Sequence, residues 1–77
     1  MKLYELPRIE DGVKIYLPRD WVLKTDDEKA LLIEYVTFWH IDGAYSYCTT
    51  PNGDVVHLSA STPIVKHEDG YKIEGSR

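Results

Sequence analysis

Residues 38–60 read FWHIDGAYSYCTTPNGDVVHLSA, and two turn dipeptides within this stretch, Asp42-Gly43 and Asn52-Gly53, decide the fold class. Asp-Gly and Asn-Gly favour two-residue hairpin loops because both positions tolerate positive φ. The residues on either side alternate in polarity, as half-buried strands do. The stretch therefore predicts three neighbouring antiparallel strands whose registers can be written down. With Asp42-Gly43 as a loop, Ile41 faces Ala44, His40 faces Tyr45, Phe38 faces Tyr47 and Val36 faces Thr49. With Asn52-Gly53 as a loop, Pro51 faces Asp54, Thr49 faces Val56, Cys48 faces His57 and Tyr47 faces Leu58. Both registers assign residues to the same two faces. Val36, Phe38, Tyr45, Tyr47, Val56, Leu58 and Ala60 form the expected core face. Tyr35, Thr37, Trp39, Ser46, Cys48, Thr50, Val55, His57 and Ser59 form the expected outer face.

Outward from this block the chain is short apolar runs, at 2–6, 13–17, 21–24, 30–41, 44–50, 55–60, 64–67 and 71–73. Pro7, Asp11-Gly12, Pro18, Asp26-Asp27, Pro63 and Asp69-Gly70 separate the others. Short strands at this spacing predict an all-β domain, an SH3-like small barrel or a strongly bent antiparallel sheet of five or six strands. The expected core includes Leu6, Val13, Ile15, Val36, Phe38, Tyr47, Val56, Leu58 and Ile64. One segment pulls two ways. Thr25-Asp26-Asp27-Glu28 has the spacing of a capping box, and residues 28–32 are good helix formers. The β-branched and aromatic run at 33–39 favours a strand over 31–36 instead. One short helical turn near residues 26–29 fits either outcome.

Seventy-seven residues make one domain, assigned to residues 1–74, with Gly75-Ser76-Arg77 read as a flexible tail. A chain of this length buries about 60–65% of its unfolded surface, so its core is thin. Six tyrosines and two tryptophans supply large rings whose polar tips stay wet. A formal net charge of −4 disfavours nucleic acid as a partner, since phosphate binding needs a basic stripe, and equally disfavours an anionic membrane surface. Cys48 is the only cysteine, and an unpaired thiol suits a reducing compartment. No apolar run approaches the ~20 residues of a membrane span. The expected location is cytoplasmic, in the host cell cytoplasm if the chain is phage-encoded.

The chemistry-bearing residues offer little to an enzyme. Cys48 and His57, opposed in the expected hairpin, would supply two of the three or four ligands a zinc site needs. As a nucleophile and base they would lack a cleft, an orienting partner and an oxyanion site. His40-Ile41-Asp42-Gly43 is explained by its turn, and Asp26, Asp27 and Glu28 by a solvated loop. No metal site, cofactor or catalytic residue is assigned. Two binding surfaces remain. Tyr35, Thr37, Trp39, Val55 and His57 place aromatic and aliphatic groups on the outer face, where they would meet a protein partner or a second copy of the chain. The alternative is a basic–aromatic nucleic-acid surface of Arg8, Lys14, Tyr16, Arg19 and Trp21.

Three blocks, Met1–Arg8 (MKLYELPR), His40–Cys48 (HIDGAYSYC) and Gly53–Ala60 (GDVVHLSA), resemble small uncharacterised proteins of tailed phages and prophages. They cover about a third of the chain. The resemblance implies an SH3-like small barrel and transfers no activity and no site residues; residues 20–31 lie outside it. The resulting expectation is a non-catalytic binding module, a phage accessory protein that engages a host or phage protein or forms a homodimer.

Overall fold

A computed structural model describes residues 1–74; the expected tail at 75–77 lies outside the described residues. Eight strands follow a single 3-10 turn at Leu3–Glu5: β1 (Val13–Tyr16), β2 (Leu23–Lys24), β3 (Ala30–Leu31), β4 (Tyr35–Asp42), β5 (Tyr45–Thr49), β6 (Val55–Val56), β7 (Ile64–His67) and β8 (Gly70–Ile73). Six form one sheet in the order β6-β5-β4-β1-β8-β7, and β2 and β3 form a separate hairpin. The all-β expectation stands, but the sheet is mixed and does not close into a barrel. β8 runs parallel to β1, with Ile15 beside Tyr71 and Tyr16 beside Lys72. That pairing joins strands from opposite ends of the chain, and local turn signals carry no trace of it.

Residues 25–28 form a β-turn in place of the helical turn expected near 26–29. The Glu28 N–H donates to the Thr25 carbonyl (2.8 Å), the Lys29 N–H donates to Thr25 Oγ1 (3.1 Å), and Glu28 sits at φ +61. The segment 31–36 is neither one strand nor a helix, because β3 ends at Leu31 and β4 begins at Tyr35. The loop at 50–54 repeats the design of the turn at 25–29. The Gly53 N–H donates to the Thr50 carbonyl (2.9 Å), the Asp54 N–H donates to Thr50 Oγ1 (3.0 Å), and Gly53 has φ +90. In both turns the threonine N–H also reaches the carbonyl four residues on. The two turns sit together: Thr25 bridges Val56, and Lys29 Nζ lies 3.7 Å from Asp54 Oδ2.

The β5 register is where the structure departs most from expectation. The β4–β5 loop is Gly43-Ala44, with Asp42 paired to Tyr45 and Gly43 at φ +65. A lone positive φ at the first loop position is what a glycine-first type II′ turn uses. A bulge then lies between Phe38 and His40, after which Phe38 pairs with Cys48. On the other side, the loop is the three residues Pro51-Asn52-Gly53, Pro51 taking the second position of a type I turn and Gly53 the left-handed position after it. Cys48 consequently pairs with Val56, not with His57.

A one-residue slip sends every side chain of a strand to the other face. Ser46, Cys48 and Thr50 are therefore buried, whereas Tyr45 and Tyr47, expected in the core, point outward. The two expected registers agreed with each other because the errors on either side of β5 cancelled.

The core gathers Leu3, Ile15, Val36, Phe38, Val56 and Ile64, all fully buried, with Leu6, Leu17, Leu58 and Ile73 around them. Val13 packs against this cluster half-buried. The buried Ser46 keeps its hydroxyl satisfied: it donates to the Leu58 carbonyl (3.0 Å), accepts from the Leu58 N–H (3.2 Å) and touches Cys48 Sγ (3.2 Å). Gly70 lets β8 lie against β1, since a Cβ there would run into the Lys14 carbonyl.

Candidate functional site

The outer face of the sheet carries a row of rings. Alternation along β1 and β4 turns Ile15, Val36 and Phe38 inward and leaves Lys14, Tyr16, Tyr35, Thr37 and Trp39 outside. Tyr16 stands between His67 and Tyr35, with ring centroids 5.1 Å and 5.9 Å away and edge-on or tilted geometry. The Lys14 ammonium lies 4.8 Å from the Tyr35 ring centroid. Farther along, Trp39 Nε1 donates to Thr49 Oγ1 at 2.9 Å, and Thr49 pairs with Val55. Tyr35, Thr37, Trp39 and Val55 thus share one face, each half-buried. The 9–12 loop partly covers it: the Ile9 N–H bonds the Trp39 carbonyl (2.9 Å), and a Cβ at Gly12 would run into the Thr37 methyl and crowd the Trp39 ring.

His57 is held differently. Its Nδ1 faces the Ser46 carbonyl at 2.9 Å and its Nε2 faces Asp26 Oδ1 at 3.0 Å. Both ring nitrogens are engaged, one by the sheet backbone and one by the β2–β3 turn. His57 ties the β2–β3 turn to the sheet, and its ring is committed to that tie. Cys48 lies on the buried side, 0% exposed, and burial pushes its thiol above the ordinary range. A buried thiol with that shift is a packing group, not a nucleophile. His40, expected beside Tyr45, instead stacks on Tyr47 with centroids 5.3 Å apart, because the bulge turns Trp39 and His40 to the same side.

The basic–aromatic alternative is only partly assembled. Lys14 and Tyr16 come together, but around a carboxylate. The Tyr16 hydroxyl donates to Asp69 Oδ1 (2.9 Å), and Lys14 Nζ lies 3.6 Å from Asp69 Oδ2. The Tyr16 hydrogen bond, with the Lys14 charge behind it, holds the Asp69 carboxyl below its usual range. Asp69 in turn raises Lys14 by its charge and Tyr16 by its hydrogen bond. Arg8, Arg19 and Trp21 are exposed.

A cleft of about 400 Å³ opens at the His67 end of the ring row. Tyr16 and His67 line its sheet side, with Leu17, Leu32 and Ile33 supplying apolar wall. Arg19, Lys72 and Glu34 bring charge to it. The segments at 17–19 and 32–34 that flank the β2–β3 hairpin are fixed by the Leu17 N–H bonding the Glu34 carbonyl at 2.8 Å. Sequence reading found Tyr16 and Arg19 but not the other six. His67 and Lys72 enter only through the parallel β1–β8 pairing and the β7–β8 hairpin, whose loop is Glu68-Asp69 rather than Asp69-Gly70.

Among the described residues no group of three or more His, Cys, Asp or Glu side chains is placed to share a metal ion. No helix there is long and apolar enough to cross a membrane. No family model, curated protein or solved structure matches the chain.

Proposed function

We propose that this chain is a non-catalytic binding module, a phage accessory protein whose outer sheet face engages a host or phage protein or a second copy of itself. The observation that carries the reading is the ring row His67–Tyr16–Tyr35, continued by Thr37, Trp39 and Val55 on one half-exposed face. Aromatic groups held rigidly by neighbours lose little conformational freedom on contact, which is why such rings anchor protein interfaces. Phosphate-backbone binding is the weaker reading, because Asp69 already occupies Lys14 and Tyr16.

The test is Tyr35→Ala combined with Trp39→Ala, with circular dichroism confirming the fold. Capture of partners from host lysate, and sedimentation for self-association, should both lose what the wild type shows. A folded double mutant that keeps every partner and the same sedimentation behaviour rules this face out.

A further inference from the structure

The cleft beside His67 joins two chemistries in a small space. Arg19 and Lys72 line it, and neither has a carboxylate within ion-pair distance among the described residues. Glu68 Oε2 lies 3.5 Å from His67 Nε2 at the edge, and Glu34 is the one acidic side chain in the lining against Arg19 and Lys72, one positive unit in excess. That is a local reversal in a chain of net charge −4. Beside the cations lie Leu17 and Ile33, and Leu32, which is 65% exposed. The β2–β3 register, in which Leu23 pairs with Leu31, sets Val22 opposite Leu32 one step further, and Val22 is 62% exposed. The apolar wall therefore continues out of the cleft onto the hairpin.

We propose that this cleft receives the carboxyl terminus of a partner polypeptide ending in an aliphatic or aromatic residue. A terminal residue carries a carboxylate and an apolar side chain on one Cα, which matches cations and apolar wall within about 400 Å³. A single excess positive charge suits a monocarboxylate, whereas Glu34 opposes a phosphate dianion. Arginine presents a planar fork to a carboxylate, and lysine adds a point charge. The inference rests on the binding-module reading and names the partner's chemistry at one end of the same face.

The probe is the peptide acetyl-Gly-Gly-Ala-Leu with a free carboxylate, titrated into the ¹⁵N-labelled full chain and compared with its carboxamide and with inorganic phosphate. The acid should bind saturably, with a dissociation constant on the order of 1 mM for so small a ligand. Shifts should concentrate at residues 16–19, 32–34, 67 and 72. The carboxamide should bind about tenfold more weakly, and Arg19→Gln and Lys72→Gln should each cost about tenfold, the loss of one charge-assisted hydrogen bond. Leu32→Ser should weaken the acid while leaving the fold intact, since the side chain is mostly exposed. Equal affinity for acid and carboxamide, phosphate binding as tight as the acid, or shifts centred elsewhere would each overturn the proposal. A lysate partner lost with Tyr35 and Trp39 but kept in Arg19→Gln/Lys72→Gln would refute the cleft alone and leave the binding-module reading standing.

Discussion

Glu28→Gly should make this protein more stable, although it deletes a side chain and adds a glycine. Glu28 has φ +61 in the turn whose twin, at 50–54, places Gly53 at φ +90 in the same position. Holding a residue with a Cβ in the left-handed region costs about 1–2 kcal/mol. Glycine removes that strain but adds unfolded-state freedom worth roughly 0.5–1 kcal/mol. The net gain is about 0.5–1 kcal/mol, which for a domain of this size raises Tm by roughly 2–8 °C. Glu28 is exposed, and among the described residues no ion pair or side-chain hydrogen bond involving it opposes the change. Thermal unfolding followed by circular dichroism reads the shift, with Glu28→Gln as the control that removes the charge and keeps the strain. Gly53→Ala is the reciprocal experiment and should lower Tm. A Tm for Glu28→Gly at or below wild type, or a gain matched by Glu28→Gln, would show that left-handed strain in this turn is not what limits it.

Other substitutions address separate contacts. Gly70→Ala should destabilise by about 2 kcal/mol or more, because the new methyl meets the Lys14 backbone, which cannot rotate away; an unchanged denaturant midpoint would contradict the close β1–β8 approach. Cys48 should react with Ellman's reagent only as fast as the protein unfolds, since the thiol is buried and its ionisation suppressed; rapid labelling in native buffer would place it at the surface. Asp69 should make stability fall in acid. Its folded carboxyl is held below the ordinary value of 3.8, so its contribution is present above that pH and is lost as pH drops through the lower folded value. Asp69→Asn should flatten that part of the stability–pH curve, and an unaltered slope would discount the Tyr16–Asp69 bond.

What could be read from the chain was what local rules determine. Alternation around Val36, Phe38, Val56 and Leu58 put those residues in the core, and Tyr35, Thr37 and Trp39 on the outside, as the strands have them. β5 was misplaced because a turn dipeptide marks a bend without fixing its length. Gly43 serves as the first loop residue rather than the second, and Pro51 was itself a signal for a three-residue loop. The bulge between Phe38 and His40 has no marker in residue type that alternation alone exposes. The Cys48–His57 pair vanished with the corrected register. The cleft was illegible for a different reason: the Leu17–Glu34 bond joins 17–19 to 32–34, but residues 67 and 72 reach them only through the parallel β1–β8 contact and the β7–β8 hairpin.

That parallel contact also dictates when the sheet can exist. β8, the last strand among the described residues, lies between β1 and β7, so it is an interior strand. Until residues 70–73 arrive, β1 is hydrogen-bonded on the β4 side alone and β7 has no partner strand. Before β8 docks, β1 therefore presents an open edge, a template to which another unfolded chain can pair. Closure depends on contacts more than fifty residues apart, such as Ile15 with Tyr71, and such distant pairing slows folding. The strand order makes the late-arriving hairpin of β7 and β8 the plug that ends this exposure.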